Sequence, residues 1–247
     1  SKKGKNFVKL EKDHLLKIQS ISIDYSILEK ENNIGMFTLT SGWNDIGSWD
    51  SFLSILEEIS FELATPLSAG GGIKSLEQVQ ELLERGADKV ILNSGAVENP
   101  DLIDKVANVY GSQCVVVCID FKSDLKSNKK RVFINSGLET TNLDPLIWAK
   151  QAVDRGAGEI VVNCIDCDGL MKGYDEELLQ IASSLINVPI VASGGAGNYD
   201  HFYKAYKNGA DAFAAASIYH FTQKTPAEAK KYLSNKGVPI RENFIKR

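Results

Sequence analysis

The chain has 247 residues, with 28 Lys plus Arg against 32 Asp plus Glu, a formal charge of −4 at pH 7 and 43% hydrophobic residues. This is ordinary globular composition, and it excludes disorder, collagen and coiled coil as whole-chain descriptions. No apolar run reaches the ~18 residues of a membrane span, the basic start Ser1-Lys2-Lys3-Gly4-Lys5-Asn6 leads into no signal-like stretch, and a mildly acidic chain is a poor holder of nucleic acid. The expectation is a cytoplasmic protein with no membrane and no nucleic-acid partner.

Residues 1–60 read as a segment apart. They offer an apolar run at 34–39, suited to one strand, and a short helix at 50–59, but nothing resembling a strand that ends in a catalytic carboxylate. From residue 61 onward, short β-branched runs alternate with capped helices, the pattern of βα units. Ser75-Leu76-Glu77-Gln78 has capping-box spacing, and that helix stops at Gly86. Asn99-Pro100 opens the next helix, and Gly111 closes it. Asp144-Pro145 and Thr225-Pro226 repeat the start, while Gly156 and Gly209 repeat the stop. Strands are expected at 66–69, 89–93, 114–120, 159–164, 188–192 and 212–216. Several are apolar almost throughout, as in a parallel sheet covered on both faces. Residues 131–135 read as the return arm of a hairpin.

The chain repeats itself. Gly70-Gly71-Gly72 leads through a helix to Gly86-Ala87-Asp88 and a strand ending in Asn93-Ser94. Gly194-Gly195-Ala196-Gly197 leads through a helix to Gly209-Ala210-Asp211 and a strand ending near Ser217. The spacing corresponds to four βα units of about 31 residues, and a full eight-unit barrel needs roughly 250. Residues 61–247 have room for six. The expected fold is α/β: a partial (βα)8 TIM barrel of six recognisable units, its first two missing, behind a foreign N-terminal segment. The domains are then 1–60 and 61–247.

Two glycine-rich strand-to-helix loops half a barrel apart suggest two phosphate cradles, because glycine lets a phosphate approach backbone N–H groups. Asn93, Ser94 and Ser217 are their polar partners. Two cradles across one mouth imply a substrate phosphorylated at both ends; the alternative is that the glycines only make tight turns. Asp120 ends the run Val115-Val116-Val117-Cys118-Ile119, where a carboxylate enters the mouth and suits general acid–base work. The alternative is a solvated loop residue. Asp168-Gly169 can accept from substrate hydroxyls and donate to phosphate, or can be a plain turn. Lys89 and Glu159 start two strands on the opposite face, where solvated rim charges are equally expected. His201 and His220 read as structural.

Four cysteines are present. Cys164-Ile165-Asp166-Cys167 has redox or metal spacing, but reads as a strand end and loop, with Cys164 used as a small hydrophobe. No second such pair exists to complete a zinc site. Cys114 and Cys118 read as packing. No metal or cofactor is implied.

Residues 62–247 resemble the cyclase subunit of imidazole glycerol phosphate synthase, the HisF family. The match is carried by Gly70-Gly71-Gly72-Ile73, Gly86-Ala87-Asp88-Lys89-Val90, Ala96-Val97-Glu98-Asn99-Pro100 and Gly111-Ser112-Gln113. It continues in Gly156-Ala157-Gly158-Glu159-Ile160, Asp166-Cys167-Asp168-Gly169, Gly173-Tyr174-Asp175 and Ala215-Ala216-Ser217. The resemblance implies a barrel that takes ammonia from a glutaminase subunit docked at its N-terminal face. A bis-phosphorylated ribulosyl formimino carboxamide ribonucleotide is converted to imidazole glycerol phosphate and an aminoimidazole carboxamide ribotide. By position, Asp120 matches one of two catalytic aspartates; Gly72, Asn93 and Ser94 match one phosphate site; Asp168, Gly169, Gly195 and Ser217 match the other. Lys89 and Glu159 match ammonia-gate charges, with Gln113 near that passage. The second aspartate belongs to the family's first strand, which has no counterpart here, so impaired activity is expected. Asn163 and Leu170 stand where Thr is frequent.

Residues 8–52 resemble part of mannose-1-phosphate guanylyltransferase, through Ser22-Ile23-Asp24-Tyr25, Glu29-Lys30 and Gly42-Trp43-Asn44-Asp45-Ile46-Gly47-Ser48-Trp49. The chain thus reads as a chimera. Two other functions stay open: an ammonia-delivering partner in amidation of sugars for surface polysaccharide, and a non-catalytic truncated barrel. Six units leave two open parallel edges, through which a homodimer can form.

Overall fold

The computed structural model describes residues 2–4, 7–9, 17, 21–22, 24–33, 35, 46–124 and 129–241. The chain divides into two compact units, 1–45 and 46–247. In the first, β1 (Lys2–Gly4) pairs antiparallel with β2 (Phe7–Lys9), and Asp24–Leu28 forms a π-type turn. Apart from Gly35, the strand expected at 34–39 lies outside the described residues.

The second unit begins at Ile46, earlier than the boundary expected near 60. Helix α1 (Trp49–Glu62) therefore belongs with the barrel. Ser48 caps it by accepting from the Ser51 N–H. Leu53 and Leu56 enter the barrel core, and Trp49 Nε1 donates to Glu81 Oε2 at 2.6 Å. The short helix expected at 50–59 is thus present and runs longer at both ends, though no strand precedes it among the described residues of this unit.

The remaining elements follow in alternation. They are β3 (Ser68–Gly70), α2 (Leu76–Glu84), β4 (Lys89–Leu92), a short α3 (Ser94–Glu98), α4 (Asp101–Tyr110) and β5 (Val115–Ser123). Then come β6 (Lys130–Ile134), β7 (Glu139–Thr140), α5 (Pro145–Asp154), β8 (Glu159–Cys164), α6 (Glu176–Leu185) and β9 (Ile190–Ser193). The last are α7 (Tyr199–Lys207), β10 (Ala212–Phe213), α8 (Ser217–His220) and α9 (Pro226–Asn235). The caps are those the sequence spells out. Asp144 accepts from Leu146 N and Ile147 N with Pro145 behind it, and Thr225 and Glu228 close a capping box. At α2 the box is only half made: Ser75 accepts from Gln78 N, while the Gln78 side chain reaches Lys74 N, one residue before the cap.

Six parallel strands form one sheet in the order β10-β9-β8-β5-β4-β3, a partial (βα)8 barrel. The β6 arm folds back antiparallel on β5, Phe121 opposite Val132, as the hairpin reading expects. Strand β10 is shorter than the expected 212–216, because the chain leaves the sheet after Phe213 and α8 begins at Ser217.

The two sheet faces differ in kind. Residues pointing to the helices, among them Val90, Leu92, Val117, Ile119, Ile160, Val162, Ile190 and Ala192, are buried. Their alternates, Lys89, Ile91, Cys118, Asp120, Glu159, Val161, Asn163, Val191 and Ser193, are half-exposed. Side chains alternate along a strand, so these line the inner wall. Among the described residues no strand pairs with the outer edge of β3 or β10, which leaves that wall open. No polar or charged residue among those described is fully buried.

Candidate active site at the carboxyl ends of the strands

Strand register places the central group. Asp120 on β5 stands directly opposite Asn163 on β8, and Asn163 opposite Ser193 on β9. All three point into the mouth by alternation. The Asp120 carboxylate accepts from Asn163 Nδ2 on Oδ1 at 2.7 Å and from Asn93 Nδ2 on Oδ2 at 2.9 Å. The Cys118 thiol, two residues back on the same face, lies 3.8 Å from Oδ1. Burial, reinforced by the neighbouring Asp120 charge, pushes the Cys118 thiol well above its usual range, so it stays protonated and donates. Asn93 Oδ1 is buried and without a partner.

A cavity lies on each side of this carboxylate. The first, about 530 Å³, is lined by Gly70, Gly71, Gly72, Asn93, Ser94, Asp120 and the hairpin residues Asn135 and Ser136, among others. Gly72 holds φ +65° with open space where a Cβ would project. Ser94 Oγ accepts from Asn135 N at 3.0 Å, fixing the turn between β6 and β7 to the rim. The second cavity, about 370 Å³, is lined by Asn163, Asp168, Gly169, Ser193, Gly194, Gly195 and Ser217, with a floor of alanines. The eight residues expected at the mouth are thus brought together, in two groups that meet at Asp120. Asn163 is a further member of the site, beyond the residues expected from the sequence, where it stands in place of a frequent Thr. The strand alternation was the available signal, since Asp120 and Asn163 both fall on the inward positions of the third and fourth expected strands.

On the opposite face Lys89 Nζ and Glu159 Oε2 form an ion pair between the starts of β4 and β8. Gln113 does not join them. It is exposed, and its Nε2 donates to Tyr110 O at 2.9 Å, at the end of α4.

His201 has a structural task beside the second cavity. Gly197 N donates to its Nδ1 at 3.1 Å, and Asn198 Nδ2 lies 2.9 Å from Nε2. Burial, and then Lys204, holds its pKa below the usual value of 6.5, against the weaker pull of Asp200 and Glu176. Above that value both folded and unfolded chains carry neutral His201. As pH falls through it, the unfolded chain binds the proton first, so stability is lost progressively toward the lower folded pKa. Thermal melting from pH 8 to 5.5 should show a fall that His201→Gln reduces. An unchanged fall in that variant assigns the effect to other groups.

The cysteines depart from expectation. Cys164 and Cys167 are joined as a disulfide, against the expectation of Cys164 as a small hydrophobe. Cys114 and Cys118 are free. Among the described residues no group of three or more His, Cys, Asp or Glu is placed to hold a metal ion.

A parallel α/β barrel sheet with glycine-rich loops and a polar cluster at the carboxyl ends of its strands is the frame of a barrel enzyme. The histidine biosynthesis protein family matches residues 48–225. The chain is 48% identical over 193 residues to imidazole glycerol phosphate synthase subunit HisF of Dictyoglomus thermophilum, covering 77% of this chain and 75% of that one. To the HisF subunit of Dictyoglomus turgidum it is 48% identical over 191 residues, with 77% and 75% covered. To that of Wolinella succinogenes it is 44% identical over 192 residues, with 78% and 76% covered. The chain belongs to the HisF family, whose members are the cyclase subunit of imidazole glycerol phosphate synthase, a lyase. The match begins at residue 48, within two residues of the start of α1.

Proposed function

We propose that this chain acts as the cyclase subunit of imidazole glycerol phosphate synthase in histidine biosynthesis. The observation that carries the reading is the position of Asp120, hydrogen-bonded to Asn93 from one cavity and Asn163 from the other. The substrate is a ribulosyl formimino carboxamide ribonucleotide with a phosphate in each cavity. One phosphate takes backbone N–H groups at Gly72 and the polar atoms of Asn93 and Ser94; the other takes Gly169, Gly195 and Ser217, with Asp168 meeting hydroxyls. Asp120 moves a proton at the middle of the molecule, where ammonia adds, the chain is cleaved and the imidazole ring closes. Cleavage and closure need a second acid–base group, and the first-strand aspartate of the family has no counterpart identified here. Turnover is therefore slow. The test is ammonium-driven conversion of this substrate by folded protein; no product under saturating substrate overturns the reading.

The ammonia comes from a glutaminase subunit at the N-terminal face, beside the Lys89–Glu159 pair. Glu159 is mostly buried, so Lys89→Met, which leaves its carboxylate unpaired, should destabilise by roughly 1–3 kcal/mol. With the glutaminase bound, glutamine-driven turnover should fall relative to ammonium-driven turnover. An unchanged ratio removes Lys89 from the ammonia path. For the stretch before the barrel unit at Ile46 the reading is a sugar-side fragment of a guanylyltransferase, supported by the Ser22–Tyr25 run and the start of the Gly42–Trp49 run. The open edges β3 and β10 are where a second copy would add; sedimentation at two concentrations decides this.

A further inference from the structure

We propose that Cys164 and Cys167 are a redox-active pair, exchanging with low-molecular-weight disulfides, whose state sets how tightly the second cavity holds an anion. The inference rests on the reading of that cavity as a phosphate site.

The pair spans the turn that builds the cavity wall. Cys164 ends β8 and is 4% exposed; Cys167 is half-exposed and reachable from solvent. The two are bonded across the turn. Cys167 N and Asp168 N both donate to Cys164 O, at 3.1 and 3.0 Å, and Gly169 N donates to Asp168 Oδ1 at 3.0 Å. Asp168 and Gly169, the next two residues, line the cavity. Ile165 N donates to Phe121 O and Ser123 N to Asp166 Oδ2, both tying the start of the turn to β5. On its far side the turn lies against the other cavity loop. A Cβ built on Gly195 would come within 3.0 Å of Cys167 Cβ, and Gly173 N donates to Gly195 O at 2.8 Å. Cys167 is thus wedged between the two loops that enclose the cavity. The disulfide holds it there, and reduction leaves hydrogen bonds and packing, with no covalent tie, to keep Asp168 and Gly169 in place.

The chemistry balances without a metal. The Cys167 thiolate attacks oxidised glutathione, forming a mixed disulfide and releasing one glutathione. The Cys164 thiol then loses its proton and displaces the second glutathione, closing Cys164–Cys167. Excess dithiothreitol reverses both steps. Because the closed form pre-organises the loop, anion affinity should be greater in the oxidised protein, by about tenfold.

The full chain should be equilibrated in glutathione buffers of graded ratio, and the thiols trapped with maleimide and counted by mass. Inorganic phosphate binding is then titrated calorimetrically in each state. The expected result is a reversible loss of two titratable thiols on oxidation, mapped to 164 and 167, with phosphate bound about tenfold more tightly. Cys167→Ser should bind phosphate as weakly as the reduced protein at every ratio; Cys167→Ala serves if that variant misfolds. Thiols that never pair, or equal phosphate affinity in both states, overturn the inference and leave the phosphate reading standing. Phosphate binding in neither state overturns both.

Discussion

Asp120→Asn is expected to lower ammonium-driven kcat by about 10²–10⁴-fold, the usual worth of a positioned acid–base group. The substitution keeps size and removes charge and basicity. It also turns one acceptor into a donor facing Asn93 or Asn163, both of which now donate to the carboxylate. Asn93 Oδ1 is buried and unpartnered, so rotation of that amide presents an acceptor to the new NH₂ group. The fold should therefore survive, with a melting temperature near that of the parent. KM should change less than kcat, since the phosphate contacts lie in the flanking cavities. Activity within threefold of the parent would remove Asp120 from the chemistry. Asn163→Leu is the companion: it leaves the carboxylate but removes one of its two amide donors, and should cost less than Asp120→Asn.

Gly195→Ala is expected to destabilise the protein by roughly 3 kcal/mol or more, among the larger single-residue effects. Two causes add. Gly195 sits at φ +116°, where an L side chain is strained, and its Cβ would lie 2.1 Å from Gly173 O. That neighbour is backbone, so relief requires moving the loop that carries Gly173 and pressing on Cys167. Gly72→Ala is the contrast. It has φ +65° with nothing within 4 Å of the new Cβ, so the cost is the left-handed strain alone, about 1–2 kcal/mol. Urea denaturation of both variants checks the order; a Gly195→Ala protein as stable as the parent contradicts the packing of this loop.

Much of this is legible in the sequence. Capping residues and glycine stops act within a few residues, so the helices and their ends could be read directly. The largely apolar runs at 115–119 and 159–164 mark central strands, although in 159–164 only the helix-facing alternates are buried. The half-barrel spacing of the two glycine loops leads one to expect two cradles, and the end of an apolar strand leads one to expect Asp120 between them. Chain position alone said less about Gln113: its i−3 bond to Tyr110 O is a local capping choice that the resemblance does not convey.

What the sequence determined by itself is local and periodic: which segments are strands or helices, which face of each is apolar, and which carboxylate ends its strand. Tertiary structure alone decided the boundary at 45/46, the clamp of Asn93 and Asn163 on Asp120, and the closure of Cys164 onto Cys167. The first depends on where α1 packs, the second on the register between strands, and the third on the path of a turn. All three are set by contacts between segments far apart in the chain, so alternation marks which residues face inward but not which of them meet.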